Sequence, residues 1–115
     1  MKNIGRLFSK KIPESERKLL MTTASNFIRS CTSPIKIIFF GSILTENFDA
    51  SSDIDMIILF NSPKEADLGR RKLYSSTQPN LKHSLEMICV DEKTFKEKSQ
   101  IGGLYAIANE SGFEF

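Results

Sequence analysis

The longest apolar run in this 115-residue chain is Ile54-Asp-Met-Ile-Ile-Leu-Phe60, seven residues interrupted by one acid, Asp55. Seven residues suit a strand and fall far short of the ~20 needed to cross a bilayer as a helix, so no membrane span is expected. Two further segments share its character. Residues 35–40 are β-branched and aromatic, bounded by Pro34 and Gly41, and residues 85–90 form a third apolar stretch with Glu86 inside it. Between them lie helical patterns. Pro13 suits a first helical turn with Glu14 and Glu16 at its positive end, and Leu20, Ala24, Phe27, Ile28 and Cys31 then recur at helical spacing until Ser33-Pro34. Asn61-Ser62-Pro63 closes the second strand and opens a helix over residues 63–74. Asp91 is placed to cap a helix carrying Phe95, which continues over residues 104–108 after Gly102-Gly103. Buried strands alternating with helices predict an α/β (α+β) fold, a small mixed β-sheet packed against helices, in one domain spanning residues 1–115.

Composition supports a packed core. The chain is 40% apolar, and folding at this length removes on the order of 65% of the unfolded chain's surface. The two cysteines, Cys31 and Cys89, sit in apolar surroundings without metal-ligand spacing and are expected to be small, reduced core residues. Residues 1–11 contain no apolar signal-peptide core, which predicts a cytoplasmic protein. The net charge of +2 is unevenly distributed. Residues 1–36 hold eight Lys/Arg against two Glu, whereas residues 37–67 hold one Lys against six acids. Carboxylates crowded beside buried strands repel one another, so that acidic segment is where chemistry is expected.

Asp53 and Asp55 flank Ile54, and the period of two puts both on one face, about 7 Å apart along the strand. Glu86 joins them if the second and third strands are neighbours. Oxygen-only ligands favour Mg²⁺ or Mn²⁺, and three carboxylates on adjacent strands suit two ions roughly 4 Å apart, the arrangement that clamps both oxygens of a phosphoryl transfer. Gly41-Ser42, directly after a strand, supplies the phosphate side: glycine lets backbone approach an anion and serine donates a hydroxyl. Asp91 is a reserve ligand. His83, the only histidine, has no second histidine for a metal pair and reads as a surface residue. Ser33-Pro-Ile-Lys36 matches a Ser-x-x-Lys pattern but lacks its companion motifs. Lys10, Lys11, Arg17 and Lys18 read as a solvated basic face open to an acidic partner or a nucleic-acid backbone, and Leu104, Tyr105, Phe113 and Phe115 as an apolar tail suited to an interface.

Gly41-Ser42, ten intervening residues, Asp53-Ile54-Asp55 and the later Leu85-Glu86-Met87 together resemble the DNA polymerase β nucleotidyltransferase superfamily. The short length is most similar to its minimal nucleotidyltransferases, including antitoxins paired with helical HEPN-type toxins. The resemblance implies a palm-like fold and transfer of an NMP, AMP from ATP foremost, to a hydroxyl of a protein or small molecule. It implies that Gly41 and Ser42 hold the β and γ phosphates, that Asp53 and Asp55 ligate two Mg²⁺ or Mn²⁺ ions, and that Glu86 completes the catalytic metal site and helps deprotonate the acceptor. It also implies a HEPN-type protein partner rather than nucleic acid or membrane, with a homo-oligomer left open. Thr45-Glu46 stands where many relatives carry Arg-Gly, and Glu86 where minimal members more often carry Asp. Those departures motivate the alternative of a non-catalytic binding or regulatory protein on the same fold.

Overall fold

A computed structural model describes residues 10–115. Most of the N-terminal stretch read for a signal sequence, residues 1–9, therefore lies outside the described residues. Helix α1 (Glu14–Cys31) begins after Pro13, and its acidic first turn faces the positive helix end as the pattern predicted. Strand β1 (Lys36–Phe40) runs into a single 3₁₀ turn, Gly41–Leu44. A loop leads to β2 (Ile54–Phe60), and helix α2 (Pro63–Ser75) follows, its first turn capped where the Glu65 amide donates to Ser62 Oγ at 3.2 Å. Strand β3 (Leu85–Asp91) leads directly into α3 (Glu92–Ser99), then α4 (Gly103–Ser111) and a two-residue strand β4 (Phe113–Glu114).

The sheet order is β3-β2-β1-β4. β2 and β3 are parallel, joined through α2, while β1 pairs antiparallel with both β2 and β4. A central strand in such a sheet is covered on both faces, which explains why β2 is apolar at nearly every position. Ile54, Met56, Ile58 and Phe60 point to one face, where Ile37, Phe39, Met87 and the buried sides of α1 and α2 meet them. Ile57 and Leu59 point to the other, against Ile38, Val90, Phe95 of α3 and Ala108 of α4. The result is two helical layers enclosing a four-stranded mixed sheet, the α+β architecture anticipated from the alternating pattern.

The C-terminal tail departs from the expected free apolar surface. β4 adds to the sheet edge beside β1, and the Phe115 ring packs edge-on against Phe39 at 5.4 Å. Arg29 holds the Phe115 carbonyl at 2.8 Å. Phe113 and Leu104 stay partly exposed, at 45% and 42%. A two-residue strand carries too little periodicity to be read from sequence. Both cysteines are free and half-buried against the larger core, as their surroundings predicted. Among the described residues no helix is long and apolar enough to cross a membrane.

Candidate active site

The C-terminal end of β1 and the N-terminal ends of β2 and β3 meet at one end of the sheet. There the register sets Phe40 opposite Asp55 and Asp55 opposite Glu86, so the β2 and β3 acids stand on adjacent strands about 4.8 Å apart at their Cα atoms. Side-chain alternation puts both on the α3/α4 face of the sheet, beyond the part those helices cover. Asp55 is half-buried there, while Asp53 and Glu86 are exposed. Burial first, then the charges of Glu86 and Asp53, raise the Asp55 carboxyl above its usual value of 3.8. Asp55 therefore lies within electrostatic reach of both Glu86 and Asp53.

Gly41 closes the site from the β1 side. Its φ is +79°, a conformation that side chains disfavour, and a Cβ at this position would lie 2.8 Å from Asp55 Oδ2. Glycine is required here both to turn the chain and to let its backbone lie against the carboxylate. The following 3₁₀ turn is entered from Phe40 with no side-chain cap, so the Ser42 hydroxyl is not spent on capping it. The turn is closed instead by Thr45, whose amide and hydroxyl both donate to the Ser42 carbonyl at 2.9 Å.

A family model described as a nucleotidyltransferase domain matches residues 22–109, about three quarters of the chain. The chain belongs to the nucleotidyltransferase domain family. No curated protein and no solved structure matches it significantly. The match runs from α1 into α4 and takes in the Gly41 turn and all three acids.

Within this nucleotidyltransferase domain the donor set of Asp53, Asp55 and Glu86 is carboxylate oxygen only, chemistry that fits a hard divalent cation. Among the described residues, however, no group of three His, Cys, Asp or Glu side chains is arranged to hold a metal ion.

Several sequence expectations require correction. Asp91, the reserve ligand, lies at the far end of β3, five residues or about 16 Å from Glu86. It is buried and caps α3 by accepting the Thr94 amide at 3.0 Å, which helps hold its carboxyl below the usual range. His83 is not a free surface residue: its ring packs on the buried Phe48 at 4.9 Å, and Nδ1 lies 2.7 Å from the Ser52 carbonyl. Arg17 is not simply part of a solvated basic face. It donates from Nε to the Ile12 carbonyl at 3.2 Å and from a terminal nitrogen to the Ile43 carbonyl at 3.1 Å, tying α1 to the 3₁₀ turn.

Asp49 escaped sequence reading altogether. Buried in the loop before β2, it accepts from the Ser51 amide and hydroxyl and from the Ser52 hydroxyl, which hold its carboxyl below the usual range. Asp49-Ala-Ser51 is the spacing of an Asx turn, the one local signal that marks it. The Arg17–Ile43 and His83–Ser52 contacts carry no such signal, because they span 26 and 31 residues.

Proposed function

We propose that this nucleotidyltransferase domain is a minimal enzyme that transfers an NMP, AMP from ATP foremost, to a hydroxyl of a protein, acting with Mg²⁺ or Mn²⁺ as the nucleotidyl antitoxin of a HEPN-type toxin. The observation that carries the reading is the pairing of Asp55 with Glu86 across β2 and β3, directly beside the Gly41 backbone. Asp53 and Asp55 would hold both ions and Glu86 one of them. Bound there, the ions supply Lewis-acid stabilisation of the charge that develops on the attacking and leaving oxygens.

The chain's own residues account for the remainder. Gly41 presents backbone without a Cβ, so a triphosphate can approach the turn closely, and Ser42 offers a hydroxyl to a β- or γ-phosphate oxygen. Glu86 is exposed and accepts the proton of the acceptor hydroxyl. The acceptor oxygen bonds to the α-phosphorus, the bond from that phosphorus to the bridging oxygen breaks, and pyrophosphate leaves. Burial first, and the two neighbouring acids after it, raise the Asp55 carboxyl, so a cation at this point would favour its ionised form.

The test is calorimetric titration of ATP with Mg²⁺ into the wild type and Asp53→Asn, followed by transfer from ATP labelled at its α-phosphate to a co-expressed helical partner. Binding in the wild type, its loss in Asp53→Asn, and label on the partner support the proposal. Full transfer by Asp53→Asn refutes it. A wild type that binds its partner but gains no thermal stability from any NTP with Mg²⁺ identifies the non-catalytic alternative.

A further inference from the structure

We infer that His83 is the positioning residue for Asp53, acting through a two-point backbone clamp. The inference rests on the site reading above and concerns a residue outside its ligand set. Asp53 lies in the chain just before β2 begins, where no strand ladder yet fixes it. Its two neighbours are fixed instead from the lead-in to β3. On one side the Ser52 carbonyl lies 2.7 Å from His83 Nδ1; on the other the Ile54 amide donates to the Ser84 carbonyl at 2.9 Å. Successive residues, His83 and Ser84, therefore hold the polar groups on both sides of Asp53.

The chemistry of the first contact is settled by its acceptor. A carbonyl oxygen only accepts, so Nδ1 carries the proton and donates. The ring cannot swing away easily, because it packs at 4.9 Å and 31° on Phe48, which is fully buried. The chain reaches this geometry through Lys82, the only non-glycine residue with positive φ (61°) among the described residues. Ser52 is bound from its own side as well, since its amide donates to the Asp49 carbonyl at 3.0 Å. The loop before Asp53 is thus locked by Asp49 from within and by His83 from the neighbouring strand's approach. Residues that orient a ligand without touching the ion act through such contacts, and removing one commonly costs about tenfold or more in metal affinity.

Two variants separate the donor from the ring. His83→Phe keeps a flat ring against Phe48 and removes the donor; His83→Asn keeps an N–H close to the Nδ1 position and removes most of the stacking. Each full-length variant is titrated with Mn²⁺ alone, followed by electron paramagnetic resonance, and exchange of the Ile54 amide is measured by NMR. The expected result is about tenfold weaker Mn²⁺ binding and about tenfold faster Ile54 exchange in His83→Phe, with both largely restored in His83→Asn. A His83→Phe that folds, binds Mn²⁺ like the wild type and leaves Ile54 exchange unchanged overturns the inference. If His83→Phe does not fold, His83→Asn decides: loss of Mn²⁺ affinity and Ile54 protection despite the retained donor overturns it, and their retention supports it. A wild type that binds no Mn²⁺ while Ile54 exchange responds to His83→Phe refutes the metal reading and leaves the clamp standing.

Discussion

Gly41→Ala separates the two demands the site makes on its turn. The new Cβ meets a backbone at φ +79°, where a side chain costs about 1–2 kcal/mol. It also lies 2.8 Å from Asp55 Oδ2, too close to stand, so the carboxylate must leave its rotamer at a further cost of about 0.5–1.5 kcal/mol. The sum is about 1.5–3.5 kcal/mol, or about 6–14 °C of melting temperature at roughly 4 °C per kcal/mol for a chain of this size. Gly103→Ala is the control. Its φ of +70° imposes the same backbone strain, but nothing lies within 4 Å of the added carbon, so only the first cost applies. The entropy a Gly→Ala change removes from the unfolded chain is common to both and cancels. Adding Asp55→Ala to Gly41→Ala should recover the excess, because the nearest Asp55 atom is then Cβ at 3.8 Å, an ordinary contact. Urea unfolding of the two single variants, Asp55→Ala and the double variant measures each term, and ATP titration shows whether the displaced carboxylate was needed. Equal stability losses at Gly41 and Gly103, with ATP binding intact in Gly41→Ala, would refute the argument that this glycine exists to admit Asp55.

Three further outcomes follow from the geometry. The Asp55 carboxyl is raised by burial and by Glu86 and Asp53, so the folded state holds its proton more tightly than the unfolded chain. The stabilisation this gives is complete below the unfolded value of 3.8 and lost as pH rises through the raised folded value. Asp55→Asn should therefore be more stable than the wild type at pH 7, by about 0.5 kcal/mol for a solvent-screened site, with the gap closing on acidification and shrinking in salt. Burial pushes the Cys89 thiol up to about 11, so iodoacetamide should label it far more slowly than an exposed thiol at pH 8, with a rate that keeps climbing towards pH 11; rapid labelling at pH 8 would contradict the packing. Arg17→Lys cannot span both the Ile12 and Ile43 carbonyls and should lose about 1.5 kcal/mol in urea unfolding, whereas an unchanged midpoint would show that the tie to the 3₁₀ turn carries no weight.

The legible parts of the fold are those whose cause is local. β2 was bounded at Ile54 and Phe60 because its apolar run ends at Asn61-Ser62-Pro63, and α2 began where Pro63 and the Ser62 cap placed it. The Asp91 cap is legible because the capping pattern lies within four residues, whereas the end of β3 that faces the site depends on the parallel register and is not. The acids were visible for the same reason of periodicity, but whether Glu86 meets Asp55 depended on strand order. The remainder was hidden by distance along the chain. His83 looked solitary because a histidine is read by its chemical partners, and this one is engaged by a main-chain carbonyl and a phenyl ring. β4 was missed because two residues become a strand only when β1 offers an edge.

The Thr45-Glu46 pair that motivates a non-catalytic reading has a different meaning once the turn is seen. Thr45 completes the 3₁₀ turn: its hydroxyl donates to the Ser42 carbonyl and accepts the Asn47 amide at 3.1 Å, closing the backbone just after Gly41-Ser42. An arginine there would remove that hydroxyl. Glu46 is exposed and lines a shallow groove together with Lys11, Glu14 and Arg17. The 3₁₀ turn is held from α1 as well, because the Arg17 guanidinium donates to the Ile43 carbonyl at 3.1 Å. Local rules are broken together at this end of the sheet, by a glycine at positive φ, a half-buried acid with a raised pKa and an acid inside a strand. The positive φ of Gly41 and the half-buried Asp55 each carry a cost that packing the core does not require. Thr45-Glu46 therefore closes the turn through its own hydroxyl and leaves the glycine and the Asp55–Glu86 pairing beside it in place.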